Sequence, residues 1–249
     1  MVTPTQFTGI GFADFQRMAQ DPELSRYERI GFPDSYREGF EPAIFEDIRT
    51  KLTNLNLSGR KVLDIGPGCS DLPVMLVELC RTHRHSLSLI DSAEMLAHLP
   101  DGDGIEKLPA FYPDCPMFIE ANRGALDVIL CYSVLHYIFA EAAFYRFLDV
   151  SLSLLSPGGQ MLIGDIPNAS KRKRFFASET GIRFHQNFMN TTDIPYVEFN
   201  QVEHDQIDDA VVMSLVQRAR LSGFDAYIIP QTPSLPMANR REDILIIRP

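Results

Sequence analysis

The stretch KVLDIGPGCSDLPVMLVELCRT, residues 61–82, joins a short apolar run to a helical pattern through a glycine turn. The run KVLDI (61–65) is typical of a buried β-strand and closes on Gly66-Pro67-Gly68. Apolar residues at positions 72, 75, 76, 79 and 80 then recur along one face of a helix. A buried strand that turns directly into a helix begins a βαβ unit, and such units build parallel sheets.

The same alternation of apolar runs and helical stretches continues along the chain. Further strands are predicted at 87–90, 105–110, 126–131, 160–165, 225–229 and 243–248. Further helices are predicted at 12–19, from Pro42 to Leu52, and at 93–98, 141–155 and 207–222. The segment SPGG (156–159) stops the helix at 141–155, and Gly223 caps the last helix. Five strand–helix units are too few for an eightfold barrel. The pattern therefore predicts an α/β fold: an open, doubly wound, mostly parallel seven-stranded sheet with helices on both faces.

Composition excludes several classes of protein. The chain has 249 residues, with 23 Lys and Arg against 33 Asp and Glu, and a net charge of −10 disfavours a nucleic-acid partner. Its four cysteines lack the two-residue spacing of zinc or thioredoxin-type pairs, so free thiols are expected. The start MVTPTQFTGIGFADF lacks a basic region followed by an apolar one, and no apolar run reaches membrane-spanning length. We expect a cytoplasmic protein without a membrane partner.

Changes in sequence pattern suggest the organisation of the chain. Residues 1–57 are predicted to be an N-terminal helical or lid segment, and residues 58–249 the ligand-binding domain. Within that domain, residues 166–206 are polar, aromatic and irregular, and they are predicted to be an acceptor-binding insertion.

The charges around the glycine turn indicate the kind of ligand it would hold. A dinucleotide motif would have its third glycine at position 71, where this chain has Asp71, and a carboxylate there would repel a pyrophosphate. Asp64, two residues before Gly66, adds a second acid. The turn therefore favours a cationic ligand over NAD or FAD; the alternative is a strand-to-helix turn without a ligand.

Asp91 ends the second predicted strand, in the sequence Leu89-Ile90-Asp91-Ser92. A carboxylate at this place in an open α/β sheet can accept hydrogen bonds from both hydroxyls of a ribose. The alternative is that Asp91 caps the helix at 93–98, a role that Ser92 could equally fill.

Four ordered blocks carry a family resemblance: VLDIGPGCS, LIDSAEML, ALDVILCYSVLHYI and LLSPGGQMLIGD. They resemble class I S-adenosylmethionine-dependent methyltransferases over residues 55–165, with Ser70 where that family usually has a third glycine. The resemblance implies S-adenosylmethionine as cofactor. The residues it implies for cofactor binding are Asp64, Gly66, Pro67, Gly68, Ser70, Asp91, Ser92, Met95, Cys131, Tyr132 and Ser133. Pro109, Ala110 and Phe111 are suggested as the residues that contact the adenine.

Candidate catalytic residues follow the fourth and fifth strands. Methyl transfer depends mostly on proximity and alignment, and a base is needed only when the acceptor must lose a proton. His136 is the first choice of base, with Tyr132 beside it and Asp165 after the fifth strand. Alternatively, His136 packs against a helix and Asp165 caps a turn.

Basic residues suggest the acceptor. The run SKRKRFF (170–176) is either a solvated helix face or a clamp for an anion, because arginine matches carboxylates and phosphates. Candidate acceptor-binding residues are Tyr36, Arg37, Arg172, Arg174, His185 and Arg240. The adjacent His204 and Asp205 diverge in direction, so no metal is expected.

These observations predict methyl transfer from S-adenosylmethionine to a small anionic metabolite, such as a phosphorylated or nucleotide-linked sugar or a carboxylate. Two alternatives remain at this stage. The first is a non-catalytic cofactor-binding scaffold of the same fold. The second is a nucleotide-dependent oxidoreductase or epimerase.

Overall fold

The computed structural model describes residues 9–201 and 204–249. Within them, seven strands form one sheet in the order β3-β2-β1-β4-β5-β7-β6. The strands are β1 Lys61–Ile65, β2 Ser86–Asp91, β3 Ile105–Pro109, β4 Leu126–Tyr132, β5 Leu155–Pro167, β6 Asp225–Pro230 and β7 Arg241–Ile247. Strands β1 to β5 are mutually parallel, and β7 pairs antiparallel with both β5 and β6. This confirms the predicted fold class.

Ten α-helices connect or precede these strands in the described part of the chain. They are α1 Phe12–Gln20, α2 Glu41–Lys51, α3 Asp71–His83, α4 Ala93–Leu96, α5 Pro116–Ala121, α6 Leu135–Glu141, α7 Phe144–Leu154, α8 Ala169–Phe176, α9 Glu179–Met189 and α10 Asp209–Leu221. Two large buried apolar clusters hold helices on the sheet, one including Phe147 and Ile129 and the other Leu76 and Val128. Neighbouring strand residues contribute to different clusters because side chains alternate between the two faces of a sheet.

The prediction of one helix over 141–155 was wrong in its extent. Two helices, α6 and α7, occupy this region, and β5 begins directly at Leu155. The glycine pair that was expected to end a helix lies within the strand. Gly158 donates to Arg248 O, and Arg248 donates to Gly159 O, each at 2.9 Å, so these residues satisfy sheet hydrogen bonds.

The prediction that residues 166–206 are irregular was wrong for the first part of that segment, which contains α8 and α9. Both helices have side-chain caps: Asn168 accepts from Lys171 N at 3.1 Å and Ser178 accepts from Gly181 N at 3.1 Å. Such caps stabilise short polar helices whose hydrophobic pattern is weak.

Three other features complete the description of the fold. All four cysteines are buried free thiols. No helix among the described residues is both long and apolar enough to cross a bilayer. The interpretation of the start of the chain rests mostly on residues 1–8, which lie outside the described residues.

Candidate cofactor and acceptor site

A cavity of about 940 Å³, including its open mouth, lies at the carboxyl ends of β1, β2 and β4. The carboxyl edge of the strands is where open α/β sheets bind ligands. Among the residues predicted to bind cofactor, those that line the cavity are Gly66, Pro67, Gly68, Ser70, Asp91, Met95, Tyr132 and Ser133. The structure therefore brings together residues from three separate sequence blocks.

The glycine turn is shaped by its backbone and by its neighbours. Gly66 and Gly68 have φ values of 69° and 67°, in the left-handed region that favours glycine. A Cβ on Gly66 would lie 2.8 Å from Val134 Cγ2, and one on Gly68 would lie 2.7 Å from Ile30 Cγ2. Both positions therefore need glycine for conformation and for space.

Asp91 is held against the glycine turn. Its Oδ2 accepts a hydrogen bond from Gly68 N at 3.0 Å, and its Oδ1 accepts one from Ser92 N at 2.7 Å. Burial raises the pKa of Asp91 to about 6, although these two amides oppose the shift. Ser92 Oγ accepts from Met95 N at 3.2 Å, so Ser92 supplies the helix cap and Asp91 is left to face the cavity.

Three predicted cofactor residues are not among those that line the cavity: Asp64, Ser92 and Cys131. Ser92 caps α4, and Cys131 is fully buried in the apolar core. Asp64 is buried beneath the turn, where burial and the nearby Asp91 raise its pKa to about 8. Asp64 is therefore mostly protonated at neutral pH, and its expected negative charge at the turn is largely absent.

Aromatic residues from the N-terminal segment form much of the cavity wall. Phe12 and Phe15 on α1 line the cavity, together with Tyr137 on α6. The Phe12 ring meets the Phe111 ring edge to face, with centroids 5.0 Å apart, and Phe15 packs in the same way on Tyr137 at 4.8 Å. Sequence analysis identified α1 as amphipathic but did not connect it with the ligand, because nothing local shows which element its apolar face contacts.

Asp165 lies at the centre of a buried network and has a positive φ of 58°. Its Oδ2 accepts hydrogen bonds from Arg241 at 2.7 Å, Arg37 at 3.0 Å and Ser133 at 2.5 Å. Burial alone would raise the pKa of Asp165, but Arg241 and Arg37 outweigh it and hold the pKa below its ordinary value. A carboxylate stabilised in this way is a weak base, and its geometry suits positioning of Arg37.

The other two candidate bases also have shifted pKa values. Burial raises the pKa of Tyr132 well above its ordinary value, and the negative charge of Asp165 adds to the shift. Burial, reinforced by Arg241, lowers the pKa of His136 to about 3, so its ring is neutral. His136 Nδ1 is buried without a hydrogen-bond partner among the described residues, and the ring lies 3.8 Å from that of Tyr137.

A second, smaller cavity of about 200 Å³ adjoins the first and shares Arg37 and Tyr132 with it. Tyr36 and Met237 form its outer wall. Beyond Tyr36, the half-buried Arg240 lies close enough to Tyr36 and Arg172 for their charges to affect its pKa, which burial lowers.

The predicted acceptor-binding residues separate into two groups. The guanidinium groups of Arg172 and Arg240 make no ion pair within residues 9–201 and 204–249. The Arg172 group lies 5.9 Å from the centroid of the Phe176 ring, and the Arg240 group lies 5.8 Å from that of Phe184. Arg174 instead pairs with Asp209. The His185 ring lies 6.2 Å from that of Phe176, at the edge of the same aromatic group. Among the described residues, no three or more His, Cys, Asp or Glu side chains gather as a metal site requires.

Glu41, which sequence analysis did not single out, also lines the large cavity. Its side chain is buried, and neither carboxylate oxygen has a hydrogen-bond partner among the described residues. An acidic residue that begins a helix is common in any sequence. Its burial against the glycine turn becomes visible only once the chain is folded.

Comparison with solved structures identifies the fold. The CurJ carbon methyltransferase aligns with a TM-score of 0.58 and 13% sequence identity. The alignment covers 95% of the present chain and 64% of the CurJ chain. The N-methyltransferase NodS from Bradyrhizobium japonicum WM9, in complex with S-adenosylhomocysteine, gives 0.55 at 14% identity, with 96% and 98% of the two chains covered. A methyltransferase from Aquifex aeolicus gives 0.53 at 12% identity and covers 99% of both. The chain thus has the fold of class I S-adenosylmethionine-dependent methyltransferases.

Sequence comparison adds no closer relative. No protein-family model matches the chain, and no curated protein matches it.

Proposed function

We propose that this protein is a methyltransferase that uses S-adenosylmethionine and acts on a small anionic acceptor. The observation that carries the proposal is the joint position of Asp91 and the glycine turn at the floor of a cavity with aromatic walls. Those features match a ligand that combines a ribose with a planar base, and the buried Glu41 carboxyl in the same cavity suits a positive charge. A dinucleotide fits less well, because Asp71 stands at the helix N-terminus where a pyrophosphate would bind.

Different residues of the cavity would bind different parts of the cofactor. Asp91 is placed to accept from the two ribose hydroxyls, and Phe111 with Ala110 and Met95 forms an apolar slot suited to the adenine. The glycine turn allows the ligand to approach the backbone at Gly66 and Gly68. When bound, the cofactor supplies an electrophilic methyl group on a sulfonium sulfur.

The chain contributes to transfer mainly by alignment and by exclusion of water. Arg37 and Tyr132 separate the large cavity from the small one, and the Asp165 network fixes Arg37 in place. A reacting group of the acceptor that enters the small cavity would therefore lie beside the cofactor. His136 lines neither cavity. It remains the predicted base for an acceptor that must lose a proton, and an anionic acceptor that reached it would raise the pKa of its ring.

Arg172 and Arg240 support the choice of an anionic acceptor. Two guanidinium groups that lie close together, with no carboxylate partner among the described residues, repel each other, and a bound anion would relieve that repulsion. A phosphate or carboxylate bound here would extend toward Tyr36 and the small cavity.

A methyl-transfer assay tests this proposal. The purified protein is incubated with S-adenosylmethionine carrying a labelled methyl group and with a panel of phosphorylated sugars, nucleotide sugars and carboxylates. We expect label in at least one anionic acceptor, with formation of S-adenosylhomocysteine, and loss of transfer in Asp91→Ala. Tight binding of S-adenosylmethionine without transfer to any anion in the panel would favour the scaffold alternative.

A further inference from the structure

Glu41 presents an uncompensated charge to the large cavity. It begins α2, is only 2% exposed, and neither of its carboxylate oxygens makes a hydrogen bond within the described residues. Burial raises its pKa, and the nearby Ser70, Arg37 and Asp71 backbone offset that shift only in part. A buried acid of this kind is costly to retain, which points to a partner that the polypeptide itself does not supply.

The neighbouring polar groups are already engaged elsewhere. The Arg37 guanidinium donates to Ser133 at 2.5 Å and to Asp165 at 3.0 Å. The Tyr27 hydroxyl donates to Asp71 at 3.2 Å, and Arg26 forms an ion pair with the same carboxylate. These contacts leave Glu41 without a cation of its own.

The position of Glu41 limits what the missing partner can be. Ser70 and the backbone of Asp71 face its carboxyl, but neither has the geometry of a hydrogen bond to its oxygens. Glu41 therefore lies at the N-terminal end of α3, next to the glycine turn, whereas Asp91 marks the ribose position on the other side of that turn. A ligand whose ribose meets Asp91 would extend its opposite end toward Glu41.

We infer that Glu41 binds the α-ammonium group of the amino-acid end of S-adenosylmethionine. This inference rests on the proposed function and adds to it a specific binding residue from the N-terminal segment. The ammonium offers three N–H donors, and two unpaired carboxylate oxygens are the complement of such a group. Residues 1–57 thus contribute an ionic contact as well as the apolar wall.

Calorimetric titration with three ligands isolates this contact. S-adenosylhomocysteine carries both the ammonium and the carboxylate, S-adenosyl-3-thiopropylamine carries only the amine, and 5′-methylthioadenosine carries neither. None of the three is a sulfonium, so the alternative that Glu41 faces the sulfonium charge predicts no effect. The substitution is Glu41→Gln, and the matched control is Glu46→Gln, an exposed residue of the same helix that pairs with Arg49.

Glu41→Gln is expected to weaken both amine-bearing ligands by about 10- to 100-fold and to change the affinity for 5′-methylthioadenosine by less than about twofold. Glu46→Gln is expected to bind all three ligands as the parent protein does. The ligand-free Glu41→Gln protein should melt no lower than the parent, because the substitution removes an unpaired buried charge.

Other outcomes would overturn the inference. Equal weakening of all three ligands, or a lower melting temperature without ligand, would show that Glu41 is a structural partner of α3. If the parent binds S-adenosylhomocysteine and Glu41→Gln binds it equally well, the inference fails while the proposed cofactor stands. If the parent binds none of the three ligands, the proposed function fails as well.

Discussion

The amide of Gly68, in the turn that follows β1, donates a 3.0 Å hydrogen bond to the carboxylate of Asp91, which ends the adjacent parallel strand β2. This contact joins the two features on which the cofactor site depends, because the turn positions the acid and the acid orients the turn. Ser92 caps the next helix, so Asp91 has no capping role and its carboxylate lines the cavity.

Asp91→Ala is expected to weaken binding of S-adenosylhomocysteine by about 1–3 kcal/mol, because two ribose hydroxyls lose a charged acceptor. Calorimetric titration measures the change. Asp103→Ala, an exposed position on the loop before β3, serves as the control and should bind as the parent does. Equal affinity in Asp91→Ala would mean that Asp91 only organises the turn.

Cofactor affinity should depend on pH in the acidic range. The pKa of Asp91 is about 6 in the free protein, and the ribose hydroxyls bind best to its ionised form. Affinity should therefore be nearly constant around pH 7 and fall by about tenfold for each pH unit well below pH 6. Asp64, with a pKa of about 8, stays protonated throughout this range. In Asp91→Asn the part of this dependence that is centred near pH 6 should disappear, and only the part due to Glu41, whose pKa burial also raises, should remain. An unchanged profile would assign the dependence near pH 6 to another group.

Gly68→Ala is expected to lower both stability and cofactor affinity. The left-handed φ of 67° costs a non-glycine residue about 1–2 kcal/mol. The new Cβ would in addition meet Ile30 at 2.7 Å and displace the N-terminal segment. Gly59→Ala, with a φ of 68° and open space around its Cβ, should show the backbone cost alone. Chemical denaturation and calorimetry compare the two; equal effects on affinity would contradict the role of this contact.

Arg240→Ala and Arg172→Ala should raise the acceptor KM by about tenfold or more, without changing the affinity for S-adenosylhomocysteine. Both guanidinium groups are free of ion pairs in the described structure and lie near each other. Arg174→Ala is the control, because Arg174 pairs with Asp209. A larger KM effect at Arg174 than at Arg240 would place the anion on the opposite side of α8.

Asp165→Ala is expected to destabilise the protein by about 3–5 kcal/mol, because it leaves the buried Arg37 and Arg241 without their shared counter-ion. Asp149→Ala removes an exposed pair with Arg218 and should cost less than about 1 kcal/mol. Urea denaturation measures both. Similar losses in the two variants would show that the Asp165 network contributes little to the folded state.

The local sequence pattern was sufficient to predict the sheet and much of the cavity floor. Nearly continuous apolar strands, a glycine turn and an acid after β2 are properties of short segments, and the structure places Gly66, Gly68 and Asp91 at one edge as predicted. The pattern was insufficient where distant segments meet. The lining by Phe12, the burial of Glu41 and the pairing of Arg174 with Asp209 all depend on tertiary contacts.

The three proposed catalytic side chains show the same division. The predicted ends of the strands were sufficient to place Tyr132, His136 and Asp165. The protonation states of these three side chains depend on tertiary surroundings that no local sequence pattern reveals. Arg37, near the N-terminus, and Arg241, near the C-terminus, both contact Asp165 and keep it ionised. Burial keeps His136 neutral.

Calorimetric titration of the unmodified protein with S-adenosylmethionine, S-adenosylhomocysteine and NADH, in parallel, tests the central claim most directly. The site described above predicts micromolar binding of the first two, with one molecule per chain, and no binding of NADH. Binding of NADH without binding of S-adenosylmethionine would contradict the assignment of the cavity. Absence of binding by all three ligands would also contradict it.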